Sequence, residues 1–214
     1  MPKYVIIGLI VVIGTFLIMN YWPKLREQTK NRILMVIFGI FFVSIFILLF
    51  LLMFWGKLID ILSILVAGIF SCVILDILGY LLKLLGIPEP SWGIVGRWTY
   101  YMLKNGSFNN PNIAQMQSIK YEVLLGWIFH YYISICWAVI YYFFFIQIGL
   151  KMTYFSGFIF GALTTLAPLL IFLPFTGQGI FAINTDIPVK TSIMFLIRHS
   201  IYGIAMYEGF RWFT

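Results

Sequence analysis

Charge is what this sequence has least of. Of its 214 residues only 10% are charged, against 62% hydrophobic and 20% aromatic, and the mean hydropathy is +1.00. A soluble domain carries about 25% charged residues, so this chain lacks the polar surface for water and is read with lipid as its solvent. Cysteine is nearly absent: Cys72 and Cys136 both lie in apolar runs, with no CxxC pair. No disulfide framework can be read from them, and in an apolar setting each acts as a small hydrophobe. Histidine is equally scarce, with only His130 and His199. A Ser-His-Asp order, an HExxH helix and a nucleophile elbow are all missing, so hydrolase chemistry has no case and no catalytic residue is assigned. The Gly177-Gln178-Gly179 triplet lacks the strand and spacing of a phosphate loop.

What is present is a series of long apolar runs. Crossing the hydrocarbon takes about 20 apolar residues in a helix, and six stretches qualify: 5–22, 33–55, 58–82, 122–148, 153–175 and 190–212. The first follows Lys3 in the manner of a signal peptide. No small-residue cleavage site comes after it, so it is read as a retained span. The expected architecture is an all-α polytopic membrane protein with six transmembrane helices. Residues 1–57 form a two-span addition, and 58–214 a four-span core with a long connection at 83–121. Within that connection Ser91 is a candidate N-cap and Asn105-Gly106 a stop. The spacing predicts an amphipathic helix over 91–104, lying in the membrane interface with Arg97 and Trp98 at headgroup level.

The net charge of +7 would suggest nucleic acid in a soluble protein. Here the basic residues sit between apolar runs, so they report topology instead, and no nucleic-acid partner is expected. If 23–32 is cytoplasmic, nine Lys and Arg residues of the connections fall on that side and four on the other. That places both termini outside a bacterial cytoplasmic membrane. The 175–188 connection, with Gly177 and Gly179, becomes a cytoplasmic or shallow re-entrant loop.

Positions three and four apart share a helix face. Gly68, Cys72, Asp76, Gly79 and Lys83 make such a stripe on the third span. Glu122, Gly126, His130, Ser134 and Trp137 make one on the fourth, and His199, Tyr202, Gly203 and Met206 one on the sixth, beside Arg198. On the fifth, Gly157, Gly161, Thr164 and Pro168 form a small-residue seam of the kind that lets helices approach closely. Measured from the cytoplasmic ends of their spans, Asp76 lies about 9 Å deep, His130 about 12 Å and His199 about 13 Å. Charges at such depth cost from about 3 to over 10 kcal/mol and mark a functional site when a partner can be named. The expected pocket therefore joins Asp76, His130, His199, Arg198, Glu122 and Tyr202, with Asp76 paired to Arg198 or a histidine.

Three functions fit such a pocket. The first is binding or transport of a small solute, ion or lipid, with the histidines able to change charge near neutral pH. The second is a redox role, with His130 and His199 ligating haem, contacting a quinone or holding a metal beside Asp76. The third is a structural subunit, where the outward aromatics meet a second copy or other proteins. Cofactor and metal stay unassigned.

The stretches "LDILG" (75–79), "LLGIP" with "VGRW" (84–98), "LGWIFHY" (125–131), "TLAP" (165–168), "LPFTGQGIFA" (173–182) and "HSIYGIAMY" (199–207) occur in an order and spacing that resemble the bacterial membrane-protein family named domain of unknown function 2938. The likeness runs from about residue 67 to 213. It implies a four-span core to which the first two spans are an addition. It also implies that Asp76, Arg97, Trp98, His130, Pro168, Gly177, Gly179 and His199 occupy positions of the family pattern. A basic residue is usual in the family near Asn184, where this chain has none. The family brings no established activity.

Overall fold

A computed structural model describes residues 58–84, 86, 91–105 and 112–213. The expected spans 5–22 and 33–55, and with them the 1–57 addition, lie outside the described residues. Every regular element among those described is helical.

Helix α1 (Leu58–Leu84) is a largely aliphatic run with Asp60 in its first turn and Lys83 in its last, each matched to the helix dipole. Gly86, at φ 75°, lies just beyond its end, where its N–H donates to Lys83 O at 3.0 Å. Helix α2 (Trp92–Asn105) starts where Ser91 Oγ accepts from Ile94 N at 3.4 Å. Helix α3 (Glu122–Tyr142) continues through a π turn at Phe143–Gln147. Helix α4 (Tyr154–Thr164) opens with a reciprocal cap between Thr153 and Ser156. It is loosened near Pro168, and π and short α segments extend it to Phe175. There Thr165 N turns to Ala162 O, and the freed Gly161 carbonyl accepts from Thr164 Oγ1 at 2.7 Å. Helix α5 (Pro188–Arg211) has proline in its first turn, where no N–H is missed.

α1 lies against α3 and α5; α3 also carries α2, and α5 also carries α4. Two of these crossings are backbone on backbone. A Cβ at Gly161 would overlap the His199 carbonyl and one at Gly203 the Gly157 carbonyl, so the expected seam is the α4–α5 contact. Gly96 and Gly126 likewise seat α2 on α3, against Glu122 O and Trp92 O. Between α1, α3 and α5 the buried core holds Ile64, Ala67, Tyr141, Met206 and Phe210, with Tyr141 stacked on Phe210 at 5.3 Å between ring centroids.

The surface is turned inside out relative to a soluble bundle. Ile69, Val73 and Ile77 on α1, Phe155, Ile159 and Leu163 on α4, and Ile193, Leu196 and Ile197 on α5 are exposed, while Ser71, Ser134, Thr164 and Arg198 are buried. Three helices among the described residues are long and apolar enough to cross a membrane: Ile59–Leu84, Glu122–Gln147 and Tyr154–Phe175. Six spans are therefore not supported. The expected sixth, 190–212, forms a helix of sufficient length, but Lys190, Arg198, His199 and Glu208 lower its hydropathy.

The helix expected at 91–104 forms at Trp92–Asn105, yet Trp98 does not rest at a surface. It is 2% exposed and packs edge-on against Phe129 and Phe172 at 5.7 and 5.4 Å. The two glycine contacts draw α2 so tightly onto α3 that this face of the helix becomes core.

Candidate functional site

Asp76 and Cys72 share a face of α1, four residues apart, and that face meets α3. His130 Nε2 lies 3.1 Å from Asp76 Oδ1, and Tyr131 Oη donates to Oδ2 at 3.1 Å. Both oxygens of this half-buried carboxyl thus have partners from one helix. Cys72 is fully buried beside them. The His130 ring is held against Trp92 of α2, centroids 4.4 Å apart.

Beyond His130 lies an inner chamber of about 190 Å³, lined by His130, His199, Arg198 and Tyr202 together with Trp137 and Pro168. His199 Nδ1 donates to Phe195 O at 2.9 Å, which fixes the tautomer and leaves Nε2 as the ring's other polar atom. Tyr202 Oη lies 3.1 Å from Ser134 Oγ, which in turn donates to Gly68 O at 2.7 Å. The indole N–H of Trp92, also on this wall, is buried and has no hydrogen-bond partner among the described residues.

An outer chamber of about 660 Å³ adjoins it. Its polar lining comes from Ser91, Gln178, Thr185, Asp186, Lys190 and Thr191. Arg198, 7% exposed, lines both chambers. The loop that carries Gln178 and Asp186 is folded on itself: Asn184 Nδ2 donates to Gly177 O at 3.1 Å, and Asn184 N to Gln178 O at 3.0 Å. Gly179 has φ 76°, and a Cβ there would come 2.6 Å from Ile183 Cγ2, so both conformation and space demand glycine. Gly177 and Gly179 shape this loop and do not line either chamber.

Glu122 goes elsewhere. It forms a two-pronged pair with Arg97, Nε to Oε2 and Nη2 to Oε1, both at 2.9 Å, and Ile119 N donates to Oε2 at 3.1 Å. Arg97 Nη1 also donates to the carbonyls of Ile113, Ala114 and Met116. The hydrogen bond to Glu122 holds the Arg97 guanidinium above its ordinary pKa. One cation thereby ties α2, the 113–116 turn and the start of α3 together, which makes Arg97 a staple between segments.

The family described as "protein of unknown function (DUF2938)" matches residues 65–211. The chain belongs to that family. No curated protein and no solved structure matches the chain. The matched region holds all of α2, α3, α4 and α5 and most of α1, and so both chambers.

The pocket expected from the stripes thus divides. His130, His199, Arg198 and Tyr202 line one chamber, Asp76 stands behind His130, and Glu122 is outside it. Of the partners expected for Asp76, a histidine or Arg198, the ion-pair contact is made by His130. Sequence reasoning placed Cys72 on the stripe with Asp76 without giving it a role, and missed Tyr131, Trp92 and the outer chamber. Cys72 was legible as the residue one turn before Asp76, whereas the chamber depends on how the 175–188 loop folds back and has no local signal. Geometry gives haem little support. His130 turns Nε2 to Asp76, and the inner chamber is smaller than the roughly 300–1,000 Å³ of drug-sized ligand sites, let alone a porphyrin.

Proposed function

We propose that this is a multi-pass protein of the bacterial cytoplasmic membrane that binds, and passes across the bilayer, a small amphipathic anion. In this reading α5 is a fourth span of the core, both termini lie outside, and the outer chamber opens to the cytoplasm. Arg198 and His199 are turned toward the inner chamber while Ile193, Leu196 and Ile197 face out, which supports a span enclosed on that polar side by protein.

The observation that carries the proposal is Arg198 standing between the two chambers. Arg198 and Lys190, with Asp186 as the opposing charge, favour a carboxylate or phosphate head in the outer chamber. The aromatic inner chamber takes a short apolar group, with His199 Nε2 and the Trp92 indole N–H as polar contacts at its wall. A guanidinium suits an oxyanion because its donors form a planar fork.

The test is quenching of tryptophan fluorescence by a medium-chain brominated alkanoate, since Trp92, Trp98 and Trp137 line the inner chamber. Saturable quenching is expected in the wild type, weaker by about tenfold in Lys190→Gln or Arg198→Gln, the loss of one charged hydrogen bond. Equal quenching by the matching neutral alcohol would remove the anion reading. Uptake into proteoliposomes then separates transport from binding alone.

A further inference from the structure

We propose that Cys72, Asp76 and His130 form a binding site for a divalent transition-metal ion, zinc by the chemistry of the donors. The site stands whether or not the chambers bind an anion. It is the one group of three His, Cys, Asp or Glu side chains found close enough to share a cation among the described residues, their ligand atoms all within 4.8 Å of one another.

The sequence and the packing assemble it in two steps. A four-residue spacing puts the Cys72 thiol and the Asp76 carboxylate on one face of α1. The α1–α3 contact then brings His130 opposite them, with Gly68 and Ser134 locked by their 2.7 Å hydrogen bond two turns from Asp76. Tetrahedral zinc, with bonds of about 2.0–2.3 Å, sets its donors about 3.3–3.6 Å apart. Asp76 Oδ1 and His130 Nε2 already stand at 3.1 Å, and a closure of about 1 Å by the Cys72 side chain, within reach of a rotamer adjustment, completes the triangle.

Charge favours the same ion. One thiolate and one carboxylate neutralise a divalent cation, so the loaded site carries no net charge into a low-dielectric interior. Sulfur and imidazole nitrogen select zinc and its neighbours over calcium or magnesium, which seek oxygen donors. Behind the ligands, Tyr131 donates to Asp76 Oδ2 and leaves Oδ1 for the metal, and Trp92 holds the His130 ring. Such partners orient ligands in known metal sites. Three donors leave one tetrahedral corner for water or a bound ligand.

The experiment is titration of the detergent-purified, chelator-stripped protein with cobalt(II) chloride. One equivalent should bind, giving the visible bands of tetrahedral cobalt and a thiolate-to-cobalt charge-transfer band, and zinc should displace it. The chain has only two cysteines. The charge-transfer band should therefore survive in Cys136→Ser and vanish in Cys72→Ser, and Asp76→Asn should bind at least about tenfold more weakly, the loss that removing a partner behind a ligand already causes. If Cys72→Ser does not fold, the band retained in Cys136→Ser assigns the thiolate by itself. No stoichiometric cobalt or zinc in the wild type, a spectrum without the thiolate band, or loss of that band in a folded Cys136→Ser protein overturns the proposal.

Discussion

Arg97 and Glu122, twenty-five positions apart, meet fork to fork with both N–O distances at 2.9 Å. The pair is largely withdrawn from solvent, at 12% and 16% side-chain exposure, so solvent screens it less than a surface bridge. Removing the guanidinium takes two donors from Glu122, which keeps Ile119 N, and one from each of three carbonyls. Arg97→Ala should cost about 1.5–3 kcal/mol, the range for hydrogen bonds to charged groups. Arg97→Lys should recover only part of that, because an ammonium cannot match the fork. Thermal melting in one detergent compares the three proteins, and a lysine variant as stable as the wild type would show that charge alone matters.

The contact between Asp76 and His130 should be energetically coupled. Asp76→Asn, His130→Gln and the double variant form a cycle, with an expected coupling of about 0.5–3 kcal/mol for directly bonded residues. Tyr131→Phe removes one hydrogen bond to the same carboxylate and should cost about 0.5–1.5 kcal/mol. Metal-free protein must be used, so that cation binding does not enter the difference. Strict additivity would mean that the two side chains only happen to be near each other.

The α4–α5 crossing leaves no room for side chains. Gly161→Leu and Gly203→Val should each separate the helices, at a cost at or above the 1–3 kcal/mol typical of overpacking. Leu166→Ala, at a position 45% exposed, should change stability far less. Melting temperatures that fall equally for all three would argue against a backbone-to-backbone seam.

Whether α5 crosses the bilayer, as proposed, can be read by labelling. Cys72 and Cys136 are 0% and 3% exposed, so the wild type should react little with an impermeant maleimide. Asp186→Cys should label only from the cytoplasmic side and Trp212→Cys only from outside. Labelling of both from one side would mean that α5 does not cross.

The sequence by itself determined the helices and the faces. Apolar runs set α1, α3 and α4, Ser91 marked the start of α2, and the three- and four-residue spacing put Asp76, His130 and His199 on inward stripes. These are properties of single helices, where periodicity is local. What helices do to one another was decided by tertiary structure. The choice of His130 over Arg198 for Asp76, the capture of Glu122 by Arg97, and the burial of Trp98 each depend on where glycines let backbones touch. The two chambers depend further on a loop folding back over α5. The average hydropathy of α5 is lowered by Lys190, Arg198, His199 and Glu208, and only the packing shows that Arg198 is buried against protein. Side-chain character is written residue by residue, but partnership is fixed only when separate helices are brought to contact distance.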